Sequence, residues 1–169
     1  MEELKKDRAI RIWHCPNIVT LCMDSYHADQ QIGRLYHQYL GKPIRFSSVF
    51  EAIGQMEAFY DAIQFPYASM NLRSFFIDRK AAEKTPGKRR TLPELPEPMR
   101  KEMMEMKTFD EATSYRGKDA TFIIRVQYRQ HSSWQGEVTW VDQKKKEYFR
   151  SVLELVRLMD EALEGEKQD

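Results

Sequence analysis

Residues 33–56 read GRLYHQYLGKPIRFSSVFEAIGQM, and residues 136–159 read GEVTWVDQKKKEYFRSVLELVRLM. Laid over each other at a shift of 103, these stretches match without a gap. Gly33 falls on Gly136, Lys42 on Lys145, Phe46 on Phe149, Ser48 on Ser151, Val49 on Val152, Glu51 on Glu154 and Met56 on Met159. Typical residue usage would give roughly one or two such identities by chance. Conservative matches extend the register on both sides: Leu21 with Ile124, Met23 with Val126, Leu35 with Val138, Ile53 with Val156 and Glu57 with Asp160. A repeat of this kind is read before any local motif, because it constrains the whole architecture.

Each copy has the same internal order. In the first, Val19, Leu21 and Met23 alternate with Thr20, Cys22 and Asp24, the pattern of a half-buried strand. His27 to Gln30 makes a turn, and Ile32 to Tyr39 returns as a second strand until Gly41-Lys42-Pro43 breaks it. A helix then starts at Ser47 or Ser48, with Glu51 at capping-box spacing from Ser48. Its apolar stripe is Val49, Ile53, Met56, Tyr60 and Ile63, and Phe65-Pro66 ends it. In the second copy the strands are 120–130 and 136–141, separated by a turn at His131-Ser132-Ser133. Ser151 caps the second helix, whose stripe is Val152, Val156, Met159 and Leu163.

The reading is one α+β domain over residues 1–169. Its two pseudo-symmetric ββα units, 17–64 and 120–164, share an antiparallel sheet with both helices on one face. A lone hairpin with one helix buries too little apolar surface to stand by itself, and two copies cover each other. Val19, Leu21, Met23 and Leu35 with Phe122, Ile124, Val126 and Val138 are the expected core. Residues 65–119 form an insert. Within it, 67–77 reads as an extra strand, Arg79 to Pro98 as an exposed proline-rich loop carrying Lys88-Arg89-Arg90, and 99–107 as one or two helical turns. Ala9 to Trp13 alternates as a further short strand ahead of the first unit.

Composition narrows the function classes. A net charge of +1 lacks the basic excess of a dedicated duplex-DNA binder. The charged start has no signal-peptide pattern, and no apolar run is long enough to span a membrane, so a cytoplasmic protein is expected. Cys15 and Cys22 make neither a disulfide framework nor a metal motif, and His14, His27, His37 and His131 show no ligand spacing. No phosphate-cradling glycine loop occurs, so no cofactor and no metal is expected. His14 and Cys15 are adjacent, which on a strand sends them to opposite faces, and no residue is assigned a catalytic role.

The candidate binding residues lie on the sheet face away from the helices. Arg125, Gln127 and Arg129 recur at strand spacing and, with Arg34 and Tyr36, present groups that engage carboxylate or phosphate; cross-strand pairing with Glu137 and Asp24 is the structural alternative. Trp134, near the turn of the second hairpin, is either a binding anchor or an indole folded over the core edge. Lys88-Arg89-Arg90 and Lys144-Lys145-Lys146 read as solvated charge runs.

Gly33-Arg34-Leu35-Tyr36 with Phe46-Ser47-Ser48, and Ser133-Trp134-Gln135-Gly136 with Tyr148-Phe149-Arg150-Ser151, resemble phrases of small uncharacterised bacterial proteins. The resemblance covers both units but not the insert, and implies no activity or site residue. The expected function is a non-catalytic binding or adaptor module, using the open sheet face or the inter-repeat groove for a protein partner or a homodimer. The alternatives are a binder of a small anionic ligand, a nucleotide or single-stranded nucleic acid through Arg34, Tyr36, Arg125 and Arg129, and, less favoured, a cysteine-dependent enzyme.

Overall fold

A computed structural model of the chain describes residues 16–27, 30–68 and 109–165. The strand expected at 9–13, the proline-rich loop at 79–98 with Lys88-Arg89-Arg90, the turns at 99–107 and all but the first two residues of the strand expected at 67–77 lie outside the described residues.

Among the described residues there are six strands: β1 (Ile18–His27), β2 (Gln30–Tyr36), β3 (Ile44–Phe46), β4 (Ala120–Tyr128), β5 (Gln135–Trp140) and β6 (Lys145–Phe149). They form one antiparallel sheet in the order β3-β2-β1-β4-β5-β6. Two long helices, α1 (Val49–Ile63) and α3 (Val152–Gly165), pack on it, and a six-residue helix α2 (Phe109–Ser114) precedes β4. The fold is α+β.

The strand-strand-helix order needs one correction: a third strand precedes each helix. Ile44–Phe46 is too short to show an alternation, and the charges of Lys145-Lys146-Glu147 hide β6 in what reads as a solvated run. These strands explain the paired glycines. Gly33 sits opposite Phe46, where a Cβ would lie 2.2 Å from the ring and 2.4 Å from the Cys22 carbonyl oxygen. Gly136 sits opposite Phe149, where a Cβ would lie 2.0 Å from the Arg125 carbonyl oxygen. A carbonyl oxygen of the neighbouring strand in both places, joined at Gly33 by the phenyl ring, occupies the space a side chain would need, so only glycine fits.

Both helices start as their sequences require. The Glu51 amide donates to Ser48 Oγ (3.0 Å), and Glu51 accepts from the Ser47 amide (2.7 Å). The Glu154 amide donates to Ser151 Oγ (3.1 Å), and Glu154 accepts from the Arg150 amide (2.7 Å). Each pair satisfies two amides with no intrahelical partner, an arrangement worth about 1 kcal/mol per cap. Gln64, in the left-handed region at φ 53°, closes α1 just before Phe65-Pro66.

All eight residues expected in the core are buried, and they join Met56, Phe59 and Tyr60 of α1 and Leu155, Met159 and Leu163 of α3 in one cluster. β1 and β4 each carry a bulge, between Met23 and Ser25 and between Val126 and Tyr128. Backbone groups beside the bulges are satisfied from outside the ladder. Asn17 donates to the Val126 carbonyl (2.8 Å) and accepts from the Val126 amide through its own carbonyl (3.1 Å). The Asp119 carboxylate accepts from the Tyr26 amide (2.8 Å) while its amide donates to the Met23 carbonyl (2.9 Å). A bulge shifts the side-chain alternation beyond it, and that shift re-aims the residues that follow.

Candidate functional site

Arg129 follows the β4 bulge and is the residue most displaced from its expected place. Strict alternation would line it up with Arg125 and Gln127, but the extra residue turns it to the helix side, where it is 4% exposed. There its guanidinium donates to Glu57 and Asp61 of α1 and to the Pro66 carbonyl (3.2 Å). Trp134, also buried, packs edge-on against Tyr60 at 5.6 Å and donates its indole N–H to the same Glu57. Tyr26, beyond the β1 bulge, likewise reaches α3, donating to Asp160 (2.8 Å). Arg129 and Trp134 thus hold β4 and the second hairpin to α1, and neither belongs to an open sheet face.

The face away from the long helices is partly closed. Cys22 and Thr121 are fully buried and Thr20 nearly so. Arg34 grips Asp24 through two hydrogen bonds (2.6 and 2.7 Å), donates to Tyr36 Oη (2.6 Å) and reaches the Arg116 carbonyl (3.1 Å). Tyr36 is 6% exposed, and its ring lies parallel to Tyr115 at 3.8 Å. Arg125 is more open, 3.8 Å from Glu137, which Lys146 also contacts at 2.7 Å. Gln127 is half-buried on the same strand. Cross-strand charge pairing therefore occupies Arg34 and engages Arg125, and of the six residues expected to bind, Arg34 and Tyr36 sit together while Arg125 and Gln127 lie on β4.

Burial pushes the Cys22 thiol up to about 11, so almost none of it is thiolate near neutral pH. Cys22 is a free, buried thiol without the ionisation a nucleophile needs. His37 is also buried, with Nε2 2.8 Å from the Pro16 carbonyl and Nδ1 accepting from the Tyr39 amide (3.0 Å). That pair of bonds selects the neutral Nε2–H tautomer, and burial lowers the ring to about pKa 4. Among the described residues, no group of three or more His, Cys, Asp or Glu side chains converges as a metal site would.

A concavity lies where no sequence motif pointed. A groove of about 720 Å³ runs between the C-terminal half of α3 and strands β4 to β6. Phe122 and Val138 belong to its lining on the sheet, and Leu158 and Ala162 on the helix. Trp140, Lys145 and Glu147 come from the outer strands, and Glu161 and Gly165 from α3. Lys145 Nζ stands 5.6 Å above the centre of the Trp140 ring. Trp140 Nε1 is buried without a hydrogen-bond partner. The cleft under α1 is different: Val19, Leu35, Leu40, Ile44, Met56 and Phe59 close around only about 10 Å³. A concavity of several hundred Å³ has the dimensions of a small-molecule site, and here apolar and polar side chains share the lining about equally.

No protein-family model matches the chain, and no curated protein or solved structure matches it either. No helix among the described residues is long and apolar enough to cross a membrane.

Proposed function

We propose that the protein is a non-catalytic binding module built from two pseudo-symmetric units, and that its ligand site is the groove under α3. Several features 103 residues apart support the duplicated architecture: the bulges after Met23 and Val126, the glycine–phenylalanine pairs on β2–β3 and β5–β6, and the two capping boxes. Thr20 and Ile123, themselves 103 apart, face each other in the β1–β4 ladder, as residues beside a local twofold would.

The observation that carries the binding reading is the contrast between the two clefts. In the 103-residue register Phe59 corresponds to Ala162, Leu40 to Gln143 and Ile44 to Glu147. The first set fills the space under α1; the second leaves about 720 Å³ under α3. An unfilled helix–sheet cleft forfeits packing that the other half of the chain retains. A bound molecule that restores those contacts accounts for the difference. The free thiol of Cys22 fits a reducing, cytoplasmic setting.

Native mass spectrometry of gently purified protein tests this. The expected result is a monomer carrying an extra small mass, lost in Ala162→Phe, which copies the first cleft into the second. A bare dimer unaffected by that substitution would favour the other reading, a protein partner or second copy. Tyr148, 67% exposed beside Lys146 and Glu137, with Arg125 and Gln127, is the surface for it. Base-stacking on single-stranded nucleic acid is less supported, because Tyr115 already covers Tyr36, Asp24 engages Arg34, and Arg129 points to α1.

A further inference from the structure

From the polar groups of the groove we infer that its ligand is a small monoanion with an apolar body, carrying its carboxylate or sulfonate against Lys145. This rests on the groove being a ligand site, and adds the chemistry. At one end of the groove Lys145 Nζ stands 5.6 Å above the centre of the Trp140 ring. Lys145 enters none of the ion pairs among the described residues. Its neighbour Lys146 is committed to Glu137 across the sheet. An acidic group bound at that end takes a charge-assisted hydrogen bond from the ammonium.

The remaining lining limits how much charge the ligand brings. Glu147 and Glu161 belong to the same groove, and Lys146, which also lines it, is paired with Glu137, so a polyphosphate or nucleotide would meet two carboxylates against one unpaired lysine. A single negative charge avoids that repulsion. Phe122, Val138, Leu158 and Ala162 supply the apolar floor for the rest of the molecule.

A matched pair of probes separates the groove from its chemistry: 1-anilinonaphthalene-8-sulfonate, and N-phenyl-1-naphthylamine, which has the same rings without the sulfonate. Binding is followed by probe fluorescence. The sulfonate should bind about tenfold tighter than the neutral probe. Lys145→Met, which keeps the aliphatic stem, should remove that preference and leave the neutral probe unchanged. Ala162→Phe should abolish binding of both. Gly165→Trp, at a position where an added Cβ meets no atom within 4 Å, provides a second block if the first variant folds poorly. Equal affinity for the two probes, or a sulfonate affinity indifferent to Lys145→Met, would overturn the anion inference and leave the groove standing. Binding that survives both blocking variants, or no binding of either probe, would overturn the groove itself.

Discussion

Acidifying the protein from about pH 7.5 to about pH 5 should cost it about 2 kcal/mol of stability through His37 alone. The ring is buried against Phe59 and Tyr39, with its two nitrogens committed to the Pro16 carbonyl and the Tyr39 amide. Its pKa in the folded protein is about 4, against an ordinary value of 6.5, and desolvation is the cause. A depressed histidine pKa means that the unfolded chain takes up the proton first. The contribution is therefore complete above about pH 6.5 and drains away as the pH falls toward 4, to a total of about 3 kcal/mol. For a chain of this size a loss of about 2 kcal/mol lowers the melting temperature by about 4–8 °C. Urea unfolding followed by circular dichroism at the two pH values measures it. Other titrating groups contribute too, so the comparison is with His37→Asn, whose amide oxygen still accepts from the Tyr39 amide but does not titrate. That variant should be weaker at neutral pH yet lose about 2 kcal/mol less on acidification. Equal losses in the two proteins would refute the burial argument.

Two further outcomes follow from the placement of the β4 and β1 side chains. Arg125→Ala should leave stability within about 0.5 kcal/mol, whereas Arg129→Ala should cost about 3 kcal/mol, because it strips Glu57 and Asp61 of their shared buried cation; matching melting curves would contradict the bulge geometry. In a Cys15→Ser background, Cys22 should resist Ellman's reagent near pH 8 until denaturant is added, and fast labelling of the native protein would show a thiol neither buried nor raised in pKa.

The elements legible in the sequence were those with a strong local signal. Ser48 with Glu51 and Ser151 with Glu154 announce helix starts that the structure reproduces, and the alternation of Leu21, Met23, Ile124 and Val126 marks strands whose inner faces are buried. β3 was not legible because three residues have no period, and β6 because lysines on a strand look like lysines in a loop. Arg129 was misassigned for a more instructive reason. Alternation predicts a face only while the register is unbroken, and the bulge that breaks it at Val126 depends on Asn17, 109 residues away. Trp134 reads in the sequence as an anchor or as a core cover, and in the structure its indole is buried and bonded to Glu57. The groove was within reach of the sequence: setting Phe59 against Ala162, Leu40 against Gln143 and Ile44 against Glu147 exposes a loss of apolar filling at three positions of one cleft, but only once both segments are known to enclose a space.

The outermost strands also govern how the sheet meets its surroundings. An edge offers unpaired amides and carbonyls to any passing extended chain, which is how sheets grow into aggregates. At one margin β3 extends for three residues and follows Pro43, which has no amide to lend. At the other, Lys144, Lys145 and Lys146 crowd the start of β6, and four of its five residues are exposed. A chain adding there would have to strip water from clustered ammonium groups. The same lysines that disguise β6 in the sequence thereby guard the protein against polymerising along its own hydrogen-bonding direction.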